Sequence, residues 1–142
     1  MRKILGSMAI ALAFTMTALA APPVSPAFPK TLSNARYVYV TSYEGDQFNL
    51  NISADDRQAI GAVQDAVQKS KKLVLVYRPR EADIVLMVQS HPSENVLAVY
   101  DAKGWPGNGT YLWRVTSRDG LQQNETSLVT EFLQAFDRVA KN

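Results

Sequence analysis

Two short runs, Leu73–Tyr77 (LVLVY) and Ile84–Val88 (IVLMV), are apolar at every position. Successive side chains of a strand point to opposite faces, so such runs ask for cover on both sides. The chain offers two helices to supply it. The first is predicted from Ser53 to about Ser70, where Ala59, Ile60, Val63, Ala66 and Val67 recur at spacings of three and four. Ser53-Ala54-Asp55-Asp56 opens it in the manner of a capping box, with two acids in the first turn. The second is predicted from about Glu125 to Ala140, with Leu128, Val129, Phe132, Leu133, Phe136 and Val139 forming an apolar stripe. Two helices of this length cover one face of a sheet. The other face is left open, or is buried by self-association.

Three further segments complete the strand set. Arg36–Tyr43 (RYVYVTSY) alternates and is rich in β-branched and aromatic residues, and Glu44-Gly45-Asp46 ends it in a turn. Asn95–Tyr100 and Thr110–Thr116 supply the fourth and fifth strands, and Asp119-Gly120 turns the chain towards the last helix. The order β-α-β-β-β-β-α predicts an α+β two-layer sandwich: a mixed sheet with two helices packed on one face. A strand followed by a helix and another strand makes a crossover, so the first strand should run parallel to the second or the third. The short connections between the third, fourth and fifth strands predict an antiparallel meander.

The first residues speak to compartment. Arg2 and Lys3 precede an uncharged apolar stretch that ends in Ala18-Leu19-Ala20, the small-x-small pattern of a signal-peptidase site. This predicts a signal peptide over residues 1–20, cut after Ala20, and a periplasmic or secreted protein that meets the membrane only through that segment before cleavage. Residues 21–30 carry Pro22, Pro23, Pro26 and Pro29 and are expected to be an extended spacer, with a single α+β domain over 31–142. No cysteine occurs, so neither a lipidated cysteine nor a disulfide is available, and the domain must rest on its hydrophobic core. Without Arg2 and Lys3, 13 basic residues remain against 13 acidic ones. That balance argues against nucleic acid as a partner. The basic cluster Lys69, Lys71 and Lys72 falls at the end of the first helix, where its dipole favours cations.

Catalytic chemistry finds little footing. With no cysteine and His91 as the single histidine, cysteine–histidine dyads and multi-histidine metal sites are excluded, and no cofactor is expected. Ser90 and Ser93 flank that histidine, but neighbours within a turn rarely reach nucleophile–base geometry. Asp83 and Asp101 stand at strand ends, where aspartates commonly bond nearby backbone amides. The glycines at 104, 107 and 109 match no phosphate-binding pattern. Three Asn-x-Ser/Thr triplets begin at Asn51, Asn108 and Asn124, and helix capping accounts for the first and third.

Aromatic residues are the informative set. Tyr37, Tyr39, Tyr43, Tyr77, Tyr100 and Tyr111 all lie in or beside predicted strands, joined by Trp113. Alternation puts Tyr37, Tyr39 and Tyr43 on one side of the first strand, opposite Val38 and Val40. It puts Tyr111 and Trp113 on one side of the fifth, opposite Leu112 and Arg114. If the helices take the aliphatic side, Tyr37, Tyr39, Tyr111 and Trp113 form a partly exposed aromatic face suited to a wet interface. Ordinary cross-strand pairing on a solvated face is the plainer reading of the same pattern. Trp105, in the glycine-rich loop Gly104-Trp105-Pro106-Gly107-Asn108-Gly109, is either tucked over the domain edge or displayed to a ligand.

The segments RYVYVTSYEGDQF, ADDRQAI, LVYRPREADIVLMVQS, VLAVYD and YLWR together resemble an uncharacterised family of small exported α/β domains of environmental bacteria. The likeness implies no activity. Ala82-Asp83 before an apolar run also looks like periplasmic α/β modules of lipoproteins and translocation-linked proteins. The expectation is a non-enzymatic binding or accessory module of the cell envelope, its partner an envelope protein or a glycan. Two alternatives stand beside it. One is a small hydrolase-like envelope enzyme whose carboxylates converge in the fold; the other is a structural protein that assembles as a homo-oligomer.

Overall fold

The computed structural model of the chain describes residues 27–107, 109–122 and 126–140. The predicted signal peptide, its predicted cleavage site and most of the expected spacer lie outside these. Strand β1 spans Tyr37–Ser42, helix α1 Ala54–Ser70, β2 Val74–Val76, β3 Ile84–His91, β4 Glu94–Asp101, β5 Trp113–Ser117 and α2 Ser127–Ala140. The sheet order is β2-β1-β3-β4-β5. β1 runs parallel to both β2 and β3, and β3, β4 and β5 form the expected antiparallel meander. The mixed sheet and two-helix layer are those predicted from the order of elements.

Local chemistry places α1. The Asp56 N–H donates to Ser53 Oγ at 3.1 Å, which satisfies one of the orphan donors at the helix start. The second half of the capping box is absent. Instead the buried Asp56 carboxylate reaches across the layer and accepts the Ser90 N–H at 2.9 Å, pinning the helix start to the end of β3. Lys71 ends the helix in the left-handed region, φ 57°. Lys69 pairs with Asp65 at 2.8 Å and Lys72 with Asp137 at 3.1 Å.

The main core lies between sheet and helices. Val38 and Val40 of β1, Ile84, Leu86 and Val88 of β3, and Leu97 and Val99 of β4 meet Ile60, Val63 and Val67 of α1 and Leu128, Val129, Phe132 and Phe136 of α2. Phe28 belongs to this core. It is 6% exposed, with ring centroids 5.7 Å from Phe132, 5.9 Å from Trp113 and 6.0 Å from Phe136. The boundary expected at residue 31 is therefore corrected: the end of the predicted spacer is part of the domain. Prolines on either side of Phe28 do not stop its ring from filling the gap between α2 and β5.

The two all-apolar runs part company. β3 is the central strand, and Ile84–Val88 is buried on both faces. β2 is an edge strand, and Val74 is 55% exposed. Because β1 lies between β2 and β3, segment 77–83 has to cross β1. Val76 and Ala82 pack with Tyr39 and Val85, so it crosses on the face opposite the helices. Val76 and Ala82 of this crossing, with the rings of Tyr39, Tyr100 and Trp105, cover the second face of β3 although both helices sit on the first.

Candidate functional site: the helix-free face of the sheet

Register assigns the second face. Tyr39 pairs with Val85 and Thr41 with Met87 across β1 and β3, while Tyr100 and Ala98 pair with Val85 and Met87 across β3 and β4. Paired residues share a face, so Val85, Met87 and Ala98 form an apolar floor under the rings of Tyr39 and Tyr100. Tyr37 continues the row beside Val74 at the sheet edge, and Tyr43 follows β1 at 48% exposure. Arg114 stands on the same side, its guanidinium 5.9 Å from the centroid of the exposed Tyr111 ring.

Two phenols are held neutral. Tyr39 donates to Asp46 Oδ2 at 2.7 Å, and burial followed by that hydrogen bond pushes its pKa up to about 12. Burial, then a hydrogen bond with the Tyr43 side chain, raises Tyr100 likewise to about 12. Both rings act as donors and apolar surface over the whole physiological range.

Trp105 closes one end of this face. The peptide joining it to Pro106 is cis. Its ring meets Tyr100 edge-on, with centroids 4.9 Å apart and planes at 67°. Of the two orientations the sequence allows, the ring takes the tucked one, half-buried over the domain edge. Beside it lies a hollow of about 280 Å³ lined by Tyr100, Asp101, Gly104, Trp105, Gly109, Thr110 and Leu112. Asp101 gives one carboxylate oxygen to the Lys103 N–H at 3.0 Å, a turn that holds the loop against the strand end.

The predicted aromatic face is corrected at two positions. Trp113 does not belong to it: the residue pairs with Val99, points to the helix side, and is 1% exposed against Phe28 and Phe132. Tyr39 lies on the predicted side but is only 6% exposed, so it is a buried wall rather than a contact residue. β5 begins at Trp113 instead of Thr110, and Tyr111 precedes it, exposed on its loop. Tyr37, Tyr43, Tyr111 and Trp105 are the aromatic residues this side leaves within reach of a partner.

Of the titratable candidates, Asp83 and Asp101 lie together and His91 stands apart. Asp83 accepts the N–H groups of Arg36 and Tyr37 at 2.9 and 3.0 Å, a strand-joining role. It lines a second hollow together with Asp101 and Lys103. His91 sits at the other end of β3, roughly 25 Å away at about 3.3 Å per residue. There it contacts the Gln89 side chain and borders a shallow hollow with Arg118 and Asp119. Among the described residues no three acidic or histidine side chains converge as metal ligands.

Sequence reasoning missed the walls that Tyr100, Thr110 and Leu112 add to the Trp105 hollow. A signal existed: Tyr100-Asp101 ends a strand only four residues before Trp105. It gave no role to the loop that follows the Glu44-Gly45-Asp46 turn, which exposes Phe48 and Leu50 while Arg57 holds the Gln47 and Asn49 carbonyls at 2.8 and 3.0 Å.

No family model matches the chain, and no curated protein matches it. Three chains of solved structures do. One is a PelC dodecamer variant from Paraburkholderia phytofirmans, 16% identical, covering 80% of this chain and 94% of that one, with a TM-score of 0.43. No helix of the described residues is long and apolar enough to cross a membrane.

Proposed function

We propose that the chain is an exported, non-enzymatic binding or accessory module of the cell envelope, acting through the sheet face its helices leave free. The observation that carries this reading is the placement of Tyr37, Tyr43, Tyr111 and Trp105. All four reach solvent around one apolar floor, with Trp105 bordering a hollow. Rings with an apolar body and a polar tip are the groups a wet recognition surface uses. His91 lies far from Asp83 and Asp101, and Asp83 is engaged by the Arg36 and Tyr37 N–H groups, which supports a binding role over histidine-assisted hydrolysis. Export rests on the first twenty residues and places the partner, an envelope protein or a glycan, outside the cytoplasm.

The test is retention in the native envelope. Mature protein beginning at Ala21 should co-fractionate with its partner, and the double variant Tyr43→Ala/Tyr111→Ala should be released while its melting temperature moves by only a few degrees. Retention unchanged by the double variant, or an intact Met1 in a membrane fraction, contradicts the reading. A self-associating structural role has one observation in its favour, the exposed Val74 beside Tyr37 on edge strand β2. Concentration-dependent sedimentation that Val74→Lys abolishes would establish it.

A further inference from the structure

We infer that the hollow beside Trp105 is a saccharide subsite that takes a single sugar ring of a glycan. The inference deepens the reading of the free sheet face and rests on it. Three features of the hollow point the same way. Its size, about 280 Å³, suits one ring rather than a flat protein contact. One wall is the half-buried Trp105 ring, backed edge-on by the buried Tyr100 ring at 67°. A pyranose presents a face of C–H groups with partial positive charge, which the negative face of an indole or phenol ring attracts.

The third feature is the polar complement, which separates a sugar from other small ligands. Asp101 makes no ion pair among the described residues, and one of its oxygens remains beyond the bond to Lys103. The Thr110 hydroxyl both donates and accepts. Gly104 and Gly109 have no side chain, and a Cβ at either would meet nothing within 4 Å, so neither glycine crowds the hollow. A sugar hydroxyl also donates and accepts, and a mixed set of partners satisfies it. A simple cation needs acceptors alone, and Arg114, seated on Tyr111 on the same face, works against a second positive charge close by. An anion meets Asp101. The aromatic wall and mixed polar rim therefore select a neutral, polyhydroxylated ring.

The test is a fluorescence titration of the mature chain with chitotetraose, cellotetraose and maltotetraose, with choline chloride as the cationic comparison. Trp105 reports on the hollow, whereas Trp113 is enclosed in the core and reports on folding. At least one oligosaccharide should give a saturable change at millimolar concentration or below. D101N, which keeps an acceptor for the Lys103 N–H, and W105A, followed by calorimetry because it lacks the reporter, should each weaken binding at least tenfold. W105F, which keeps an aromatic wall, should weaken it less when binding is followed by calorimetry. An unchanged near-ultraviolet spectrum for D101N shows that its loss is not unfolding. No saturable response to any of the three sugars, or a response to choline alone, overturns the subsite. If Tyr43→Ala/Tyr111→Ala still releases the protein from the envelope in that case, the binding-face reading survives and only the saccharide assignment falls. If neither result appears, both fall.

Discussion

Asp46 joins two parts of the molecule through separate carboxylate oxygens: Oδ2 accepts the Tyr39 phenol and Oδ1 the Phe48 N–H at 3.0 Å. The turn before it depends on Gly45, at φ +136°, where an added Cβ would come within 2.6 Å of Asn49 Nδ2. Asp46→Ala leaves a buried phenol without its acceptor and should cost about 1–3 kcal/mol in urea unfolding. It should also lower the Tyr39 pKa, since the Asp46 hydrogen bond is one cause of the rise. The same raised values govern alkaline stability. Tyr39 and Tyr100 keep their protons to about pH 12 when folded but lose them near pH 10 when unfolded. Their contribution is complete below pH 10 and is lost as pH rises from 10 to about 12. Tyrosinate absorbance should show these two groups ionising late, together with unfolding. Their titration near pH 10 in a folded chain would show that both rings are solvated.

Helix α2 owes its place to a stripe that meets two aromatic neighbours, Phe28 and Trp113. Phe132 is fully enclosed, between Phe28 at 5.7 Å and Trp113 at 6.2 Å. Phe132→Ala should cost about 3–5 kcal/mol, which approaches the whole stability of a domain this size. Denaturant titration showing a loss under about 1 kcal/mol would mean the stripe is not packed as described. On α1, the Asp56 carboxylate illustrates why a sequence motif is not always the contact it names. Ser-x-x-Asp promises a reciprocal cap, yet the shorter aspartate serves β3 instead, accepting the Ser90 N–H that lies within its reach.

At the scale of the whole molecule, the first described residues are structural. A chain starting at Thr31 lacks Phe28 and leaves a gap between α2 and β5, so it should be about 3–5 kcal/mol less stable than one starting at Ala21. Equal midpoints in guanidinium would remove Phe28 from the core. Element order, the helix spans, the parallel crossover and the meander were legible in the sequence, because periodicity and turn chemistry are local and each segment carries its own signal. Alternation also put Tyr37 and Tyr39 on the side opposite Val38 and Val40. It did not relate the faces of different strands. Trp113 went to the helix side because β5 pairs Trp113 with Val99, a register that depends on where the Trp105 loop ends. β2 and β3 look alike in sequence, but one is an edge and the other the centre, since burial belongs to a position in the sheet. The Trp105 hollow exists only where the ends of β4 and the approach to β5 meet. The sequence by itself determined which segments are strands and helices and which side chains alternate; tertiary structure alone decided which face each strand turned to the helices, because strand pairing is a contact between residues far apart in the chain.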